Sequence, residues 1–437
     1  MAEFNPEIDH RAGAEMNALL NVWQTLEQPR KKQKIDDNTI DFNIIDPATY
    51  LPASEIERLS RDIDSRVDFT HRLSKIANRF NPNSEDGKFA RARASALKAY
   101  IEEVEGRWHY SLDDYLEDTL ALPKRSPVAF TTVPEHIISE QKTKVIQLVS
   151  QTGYNFDRDG WALYIKEQKL TKSEIITAYQ EAEEKFSPIF MDMAGLDEKP
   201  NYAIVFDEVP GVTWVNWTRG DRNGTTLTIN LHEDVIPSMV KGRPGLFMLH
   251  ETGGHIYEYG AVKKGIDEGR VNPMYGITTI PGPEQWHLEG FADTIAFFED
   301  RLYDQLDIFE KMVVELKLYE SFVLRNAHIK VNEDPNLINQ IQESVMDDLP
   351  NRSEIFAKRY LQQSYQSPMS RSYNAAYGAT YEHWKWAKEL AGEKKSIFQL
   401  WPTKDRRSEL INFFMEKPRL PMQIYEQVQL LEGARAA

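Results

Sequence analysis

The spacing of apolar residues changes its period near Asn201, and that change limits the architectures open to the chain. Before it, runs such as SEIERLSRDIDSRVDFTHRLSKIANRF, starting at Ser54, repeat apolar side chains every three to four residues, the period of an amphipathic helix. Ser54 and Glu57 stand in the order of a capping box, as do Thr171 and Glu174 ahead of IITAYQEAEEKFSPIFMDMAGL. ARARASALKAYIEEVEGRWHYSLDDYLED is rich in strong helix formers. Breaks are expected over 81–87 and in ALPKRSPVAFTTVPEH, which holds three prolines. After Asn201 the segments NYAIVFDEV, GVTWVNWT and TTLTINL are short, β-branched and aromatic, and are divided by Pro210, Gly211 and a turn over 221–224. They read as a small antiparallel sheet. Pro244 then opens PGLFMLHETGGHIYEYGAVKKG as a helix, and helical patterning resumes from Glu284. The expected architecture is mainly α with a small antiparallel β-sheet, as a helical region over 1–200 followed by a region over 201–437 that carries the sheet.

With 437 residues, 41% of them hydrophobic, the chain can bury a large core. A net charge of -16 argues against a nucleic-acid partner, because phosphate binding requires a concentrated basic surface. No run of eighteen or more apolar residues occurs, so no membrane-spanning helix is expected. The polar N-terminus MAEFNPEIDH lacks the apolar stretch of an export signal, and a cytoplasmic protein is expected. Arg30, Lys31, Lys32 and Lys34 read as a solvated linker, or as a nuclear-import patch in a eukaryotic source. Cysteine is absent, so any transition metal has to be held by His, Asp and Glu.

Such a set is offered by LHETGGHIYE, in which His250 and His255 are five residues apart and Glu251 follows the first. On an α-helix, residues five apart differ by about 140 degrees and would not face one ion. The two imidazoles converge only if a wide turn absorbs an extra residue, and such bulges favour functional sites. Gly253 and Gly254 stand where that distortion has to occur. A catalytic zinc takes three protein ligands and keeps a fourth position open. HLEGFADTIAFFED supplies Glu289 as third ligand, with Glu258, three residues after His255, as the alternative. Asp293, one turn after Glu289, is placed to accept a hydrogen bond from a ligand imidazole.

Glu251 is then the candidate general base for a metal-assisted hydrolysis. The strand TTLTINL just before the helix offers an edge to which an extended peptide could add, and Trp214 and Trp217 could line a pocket. His232, His287, His328 and His383 are weaker candidates for contact with substrate or metal.

HETGGH followed by LEGFAD resembles the paired HExxGH and EExxAD motifs of the dipeptidyl peptidase III family, with Leu288 where that family has a first glutamate and a shorter interval between the motifs. A broader similarity, over 203–428, is to a bacterial family of metallopeptidase-like proteins marked by HExxPGHH, EGWA and a C-terminal segment to which INFFMEKPRLPMQIYE corresponds. SRSYNAAYGATYEHWKWAKEL looks like that family's Tyr-containing helix. One residue fewer separates the two histidines here, a glycine replaces the proline, and Ile256 replaces the second adjacent histidine. The resemblance implies a thermolysin-type (gluzincin) site holding one Zn2+ per chain through His250, His255 and Glu289, with Glu251 as catalytic carboxylate. Loose alignment to the second family gives Tyr373, Tyr377, Arg371 and His328 as candidates to stabilise the oxyanion. The expected function is hydrolysis of peptide or amide bonds in short peptides. Two other readings share the same residues: a lyase or non-haem iron oxygenase, since two histidines and a carboxylate also suit iron, and a catalytically silent binding protein.

Overall fold

The computed structural model describes residues 6–27, 40–391 and 411–436, apart from 62, 64 and 213. The basic run at 30–34 lies outside the described residues.

Helices dominate. The first part of the chain contains α1 (Pro6–Glu27), α2 (Ala53–Ser60), α3 (Arg66–Ala77), α4 (Glu85–Val104) and α5 (Leu112–Leu120). α6 (Glu135–Gln151), α7 (Arg158–Gln168) and α8 (Lys172–Ala194) follow the proline-rich connection. Thr171 caps α8 in the expected capping box, its hydroxyl accepting from Glu174 N–H while the Glu174 side chain accepts from Thr171 N–H. Ser54 does not cap: α2 starts at Ala53 behind Pro52, with no side-chain cap. The run from Ser54 is also two helices rather than one, because Ser65 takes an extended conformation and caps α3 by accepting from Asp68 N–H.

The sheet departs from expectation. Its five strands, β1 (Ile40–Asn43), β2 (Tyr202–Asp207), β3 (Asn216–Asp221), β4 (Gly224–Asn230) and β5 (Ile277–Thr279), lie in the order β2-β4-β3-β1-β5. β3 and β4 form the antiparallel hairpin predicted around 221–224, with Gly224 at a φ of 148°. β2, however, runs parallel to β4, and β1 meets β3 in parallel at Phe42↔Gly220, so the sheet is mixed. The physical reason is the crossover through 208–215, which returns the chain on the far side of β4 instead of continuing as a meander. β4 is therefore an inner strand, flanked on both sides, and cannot take an added peptide as expected of TTLTINL.

After the sheet come α9 (Arg243–Phe247), a π-helical stretch (Met248–Ile256) and α10 (Tyr257–Asp267), which run on as one helical rod. The remaining elements are α11 (Glu284–Phe298), α12 (Asp300–Gln305), α13 (Ile308–Glu333), α14 (Ile338–Asp348), α15 (Glu354–Gln366), α16 (Pro368–Gly378), α17 (Thr380–Ala391), α18 (411–416) and α19 (Pro421–Ala436). Two apolar clusters fill the interior. One joins Trp23, Phe69, Leu73 and Phe89 from the first helices to Tyr259, Val262, Met274 and Ile277. The other joins Tyr164, Phe186 and Phe190 of α7 and α8 to Leu249, Trp286, Phe291, Phe322 and Trp384. α11 runs between them, and every one of its residues is buried. Among the described residues no helix is long and apolar enough to cross a membrane.

Candidate metal centre

A helix buried on all sides is stabilised by each polar group it can pair, and the partners found by the polar side chains of α11 lead to the site. Glu284 at its start accepts from Arg93 at 2.9 Å and from Thr279 N–H at 2.8 Å, Arg93 and Glu284 both being fully buried. His287 Nε2 lies 2.9 Å from the Phe414 carbonyl. Asp293 faces His250 Nδ1 at 2.8 Å and also receives Lys317 Nζ and the Thr380 hydroxyl, each at 3.2 Å. Glu284 Oε2, Gln285 Oε1 and His287 Nδ1 stay without a partner among the described residues, and so does one oxygen of Glu289. Glu289 Oε1 accepts from the Tyr373 hydroxyl at 2.8 Å, but the buried Oε2 has no hydrogen-bond partner among the described residues.

That bare oxygen faces the two histidines of the π-helical stretch. His250 Nε2 is 3.4 Å and His255 Nε2 4.0 Å from it, and the three ligand atoms lie within 4.8 Å of one another. Donors around a tetrahedral zinc at about 2.0–2.1 Å are roughly 3.3 Å apart, so contraction by up to about 1.5 Å brings all three onto one ion. Among the described residues this is the group of three His, Asp or Glu side chains that could hold a metal. The imidazole planes stand at 88° with centroids 4.9 Å apart, presenting ring edges to the shared point.

The bulge forms as the spacing requires, over Met248–Ile256, but the paired glycines serve it differently from the expected way. Neither takes a positive φ. What they allow is close packing. A Cβ on Gly254 would fall 2.3 Å from Ala292 Cβ and 2.4 Å from Ala292 Cα in α11, and one on Gly253 would fall 2.4 Å from the Phe190 ring in α8. Gly254 thus lets the histidine-bearing stretch touch the helix that carries Glu289.

Electrostatics reinforce the convergence. Burial alone would depress the pKa of His250, but Asp293 and Glu289 outweigh it and push it up to about 10. Burial works against the charge on Glu289 and Asp293 too. His250 and His255 nonetheless hold Glu289 below the usual carboxylate value, while Lys317 and His250 do so for Asp293. A cation in the centre would replace the proton on His250, with Asp293 still fixing the tautomer through Nδ1. His255 Nδ1 is buried and has no such partner among the described residues.

Glu251 projects beside these ligands into a cavity of about 1380 Å3 that also reaches His250, His255, Glu289 and Asp293. Its two oxygens are held from β3: Asn216 Nδ2 donates to Oε1 at 2.6 Å and the Thr218 hydroxyl donates to Oε2. Asn216 and Thr218 are two apart on a strand and so share a face. Tyr373 and Tyr377 line the same cavity, with hydroxyls 3.3 Å apart, and the Tyr377 ring stacks on His250 at 6.2 Å between centroids. Burial, followed by the charge of Glu289, raises the Tyr377 hydroxyl well above its ordinary pKa, so it remains a neutral donor. Trp214 and Trp217 also border the cavity.

Neither a protein-family model nor a curated protein matches the chain. In three dimensions the chain is similar to a crystal structure described as "the putative lipoprotein from Colwellia psychrerythraea", with a TM-score of 0.54 at 10% identity, over 88% of this chain and 71% of that one. The likeness is one of fold.

Several residues singled out in the sequence lie away from the cavity. Arg371 is spent on Asn332 and the Tyr110 carbonyl, at 2.9 and 3.0 Å. His328 is fully buried beside Phe130, with neither ring nitrogen hydrogen-bonded to a described residue. His287 and His383 pack around Trp286 and Phe414, and His232 sits against Asp234 in a loop. Glu258, the alternative third ligand, is buried with its carboxyl 3.4 Å from His287 Nε2 and is not in the converging group. Conversely, Asn216, Thr218, Lys317 and Thr380 support the site without having been singled out. For the first two a signal exists, polar residues at period two in a strand; for Lys317 and Thr380 the sequence offers none.

Proposed function

We propose that the protein is a zinc-dependent hydrolase of peptide or amide bonds with a gluzincin-type site, related to the HExxGH and EGWA families that its motifs resemble. The observation that carries this reading is Glu251, clamped by Asn216 and Thr218 beside two histidines and a glutamate whose free donor atoms converge. His250, His255 and Glu289 would hold the zinc, which would supply Lewis acidity at this centre. Glu251 has each oxygen fixed by one donor and keeps further lone pairs for the proton of the attacking water, which it then passes to the leaving amine. Tyr377 offers its neutral hydroxyl to the developing oxyanion, while Tyr373, bonded to Glu289, orients the third ligand. The substrate is a short peptide or peptide-like molecule, since the cavity of about 1380 Å3 exceeds the range of about 300–1,000 Å3 usual for a small-molecule site.

The same three donors would also suit iron(II). A carboxylate clamped beside them has a task in hydrolysis and none in oxygen activation, which favours the hydrolase. Metal analysis of the purified protein, paired with a peptide-library assay, tests the proposal. The expected result is one zinc per chain and turnover that falls about 10²–10⁴-fold in Glu251→Gln with zinc content unchanged. Iron with oxygen-dependent turnover, or full activity in Glu251→Gln, would refute it.

A further inference from the structure

Among the described residues each enclosed arginine has at least one side-chain acceptor or ion-pair partner, with one exception. Arg93 is bonded to Glu284, Arg325 to Glu382, Arg371 to Asn332, Arg352 to Glu320 and Arg419 to Glu85. Arg243 is part-buried in the wall of the catalytic cavity, and its guanidinium has no hydrogen bond or ion pair among the described residues. A guanidinium out of bulk water without an acceptor is costly, and burial and the nearby charge of Arg352 both oppose its protonated form, with Glu320 compensating in part. Glu320 is itself taken up by Arg352 through two bonds of 2.9 and 2.6 Å. The wall therefore holds a fork of donors that is not taken up by a described side chain and is open to an acceptor in the cavity.

Its position fits the reacting centre. Arg243 precedes His250 by seven residues on the same helical rod. Seven residues of helical rod rise about 10 Å, and both side chains line the same cavity. An extended peptide covers that distance in about three residues. Two further arginines of the cavity lining, Arg219 and Arg359, are exposed and carry no ion pair among the described residues, although the chain as a whole has a net charge of -16. The lining also carries Asp221, Glu251, Glu289, Asp293 and Glu320, so its charge is close to balanced within a strongly acidic molecule, and an anionic ligand is repelled less there than elsewhere.

We infer that Arg243 is a specificity residue that binds a substrate carboxylate lying about three residues from the cleaved bond, so that the preferred substrates are acidic short peptides. This deepens the hydrolase reading and rests on it for the word substrate. The carboxylate comes from a free C-terminus or from an Asp or Glu side chain. Planar, two-pronged recognition is what guanidinium offers and ammonium does not.

The test measures binding separately from turnover. Zinc-loaded protein is titrated calorimetrically with N-acetylated hexapeptides of three kinds: a free C-terminal carboxylate, a C-terminal carboxamide, and a carboxamide with one internal Glu. The same peptides are then offered for cleavage. The expected result is that one carboxylate-bearing peptide binds about 10- to 100-fold more tightly than the neutral one, and that Arg243→Met removes the preference while Arg243→Lys retains only part of it. Whichever of the two acidic peptides shows the preference identifies the source. Arg243-dependent selectivity without cleavage of any peptide would sustain the carboxylate subsite and sink the hydrolase. Cleavage with equal binding of acid and amide would do the reverse. Failure of all three to bind, or a preference that persists in Arg243→Met, overturns the inference. Should Arg243→Met not fold, Arg243→Lys decides alone: an undiminished preference counts against it.

Discussion

Two groups of buried histidines lie within the same helical interior, and they are driven in opposite directions. His250 faces Asp293 and Glu289, which overcome its burial and push its pKa up to about 10. His287, His328 and His383 are pushed down by burial to about 4, 3 and 3, with nearby arginines adding to the effect on His287 and His328, although the buried Glu258 carboxyl lies 3.4 Å from His287 Nε2. His287 and Glu289 are only two residues apart on α11, so the contrast comes from what each side of that helix meets rather than from depth. Unpartnered polar atoms occur in both groups, including both nitrogens of His328 and Nε2 of His383. Only around His250, His255 and Glu289 do the free atoms of three side chains point to a common centre among the described residues. Burial of histidine is therefore not the mark of a metal centre; convergence backed by carboxylates is.

Several experiments would break or sharpen that contrast. Beyond the loss of turnover in Glu251→Gln, Asp293→Asn removes the charge that orients His250, and zinc affinity should fall about 10- to 100-fold in a chelator competition. Unchanged affinity would mean that Asp293 serves Lys317 and not the ligand. Gly254→Ala drives a methyl group into the Ala292 backbone, and should cost about 1–3 kcal/mol in urea denaturation together with a loss of zinc affinity, because Glu289 moves with α11. A stable variant with normal metal content would show that the close approach is dispensable.

The pH dependence separates the two groups by sign. In metal-free protein the raised His250 contributes stability that is fully present below about 6.5 and is lost as pH rises toward about 10. The lowered histidines act the other way, since the unfolded chain binds protons that the folded one refuses, and stability falls as pH drops below about 6.5 toward 4. Each proton contributes a slope of at most about 1.4 kcal/mol per pH unit. Zinc should abolish the alkaline limb and leave the acid one; an alkaline limb that survives saturating zinc would detach His250 from the metal. The smallest effect is expected from His328→Asn, which should alter stability while leaving zinc content unchanged.

Much of this was legible in the chain because the informative signals are local. The five-residue interval between His250 and His255 demands a widened turn, and helical patterning around Glu289 and Asp293 sets both on one face. The role of the glycines is less legible, since a preference for unusual φ is a property of one residue, whereas the contact of Gly254 with Ala292 depends on how two helices pack. Mixed strand order failed for a related reason. β2, β3 and β4 have the composition of strands, but the crossover that lays β2 parallel to β4 leaves no local trace. Lys317 on α13 and Thr380 on α17 reach Asp293 only through tertiary packing, and a lone Lys or Thr in a helical run carries no mark of it. Loose alignment suggests Arg371 and His328 as well, and neither reaches the cavity that Tyr373 and Tyr377 line.

Anomalous scattering at the zinc edge, recorded from crystals of the purified protein, addresses the shared centre itself. A single peak about 2.0–2.2 Å from His250 Nε2, His255 Nε2 and Glu289 Oε2, with Glu251 near but not bound, is the predicted result. Crystals soaked in zinc that show no peak between these side chains, or a peak elsewhere that leaves them apart, would contradict it.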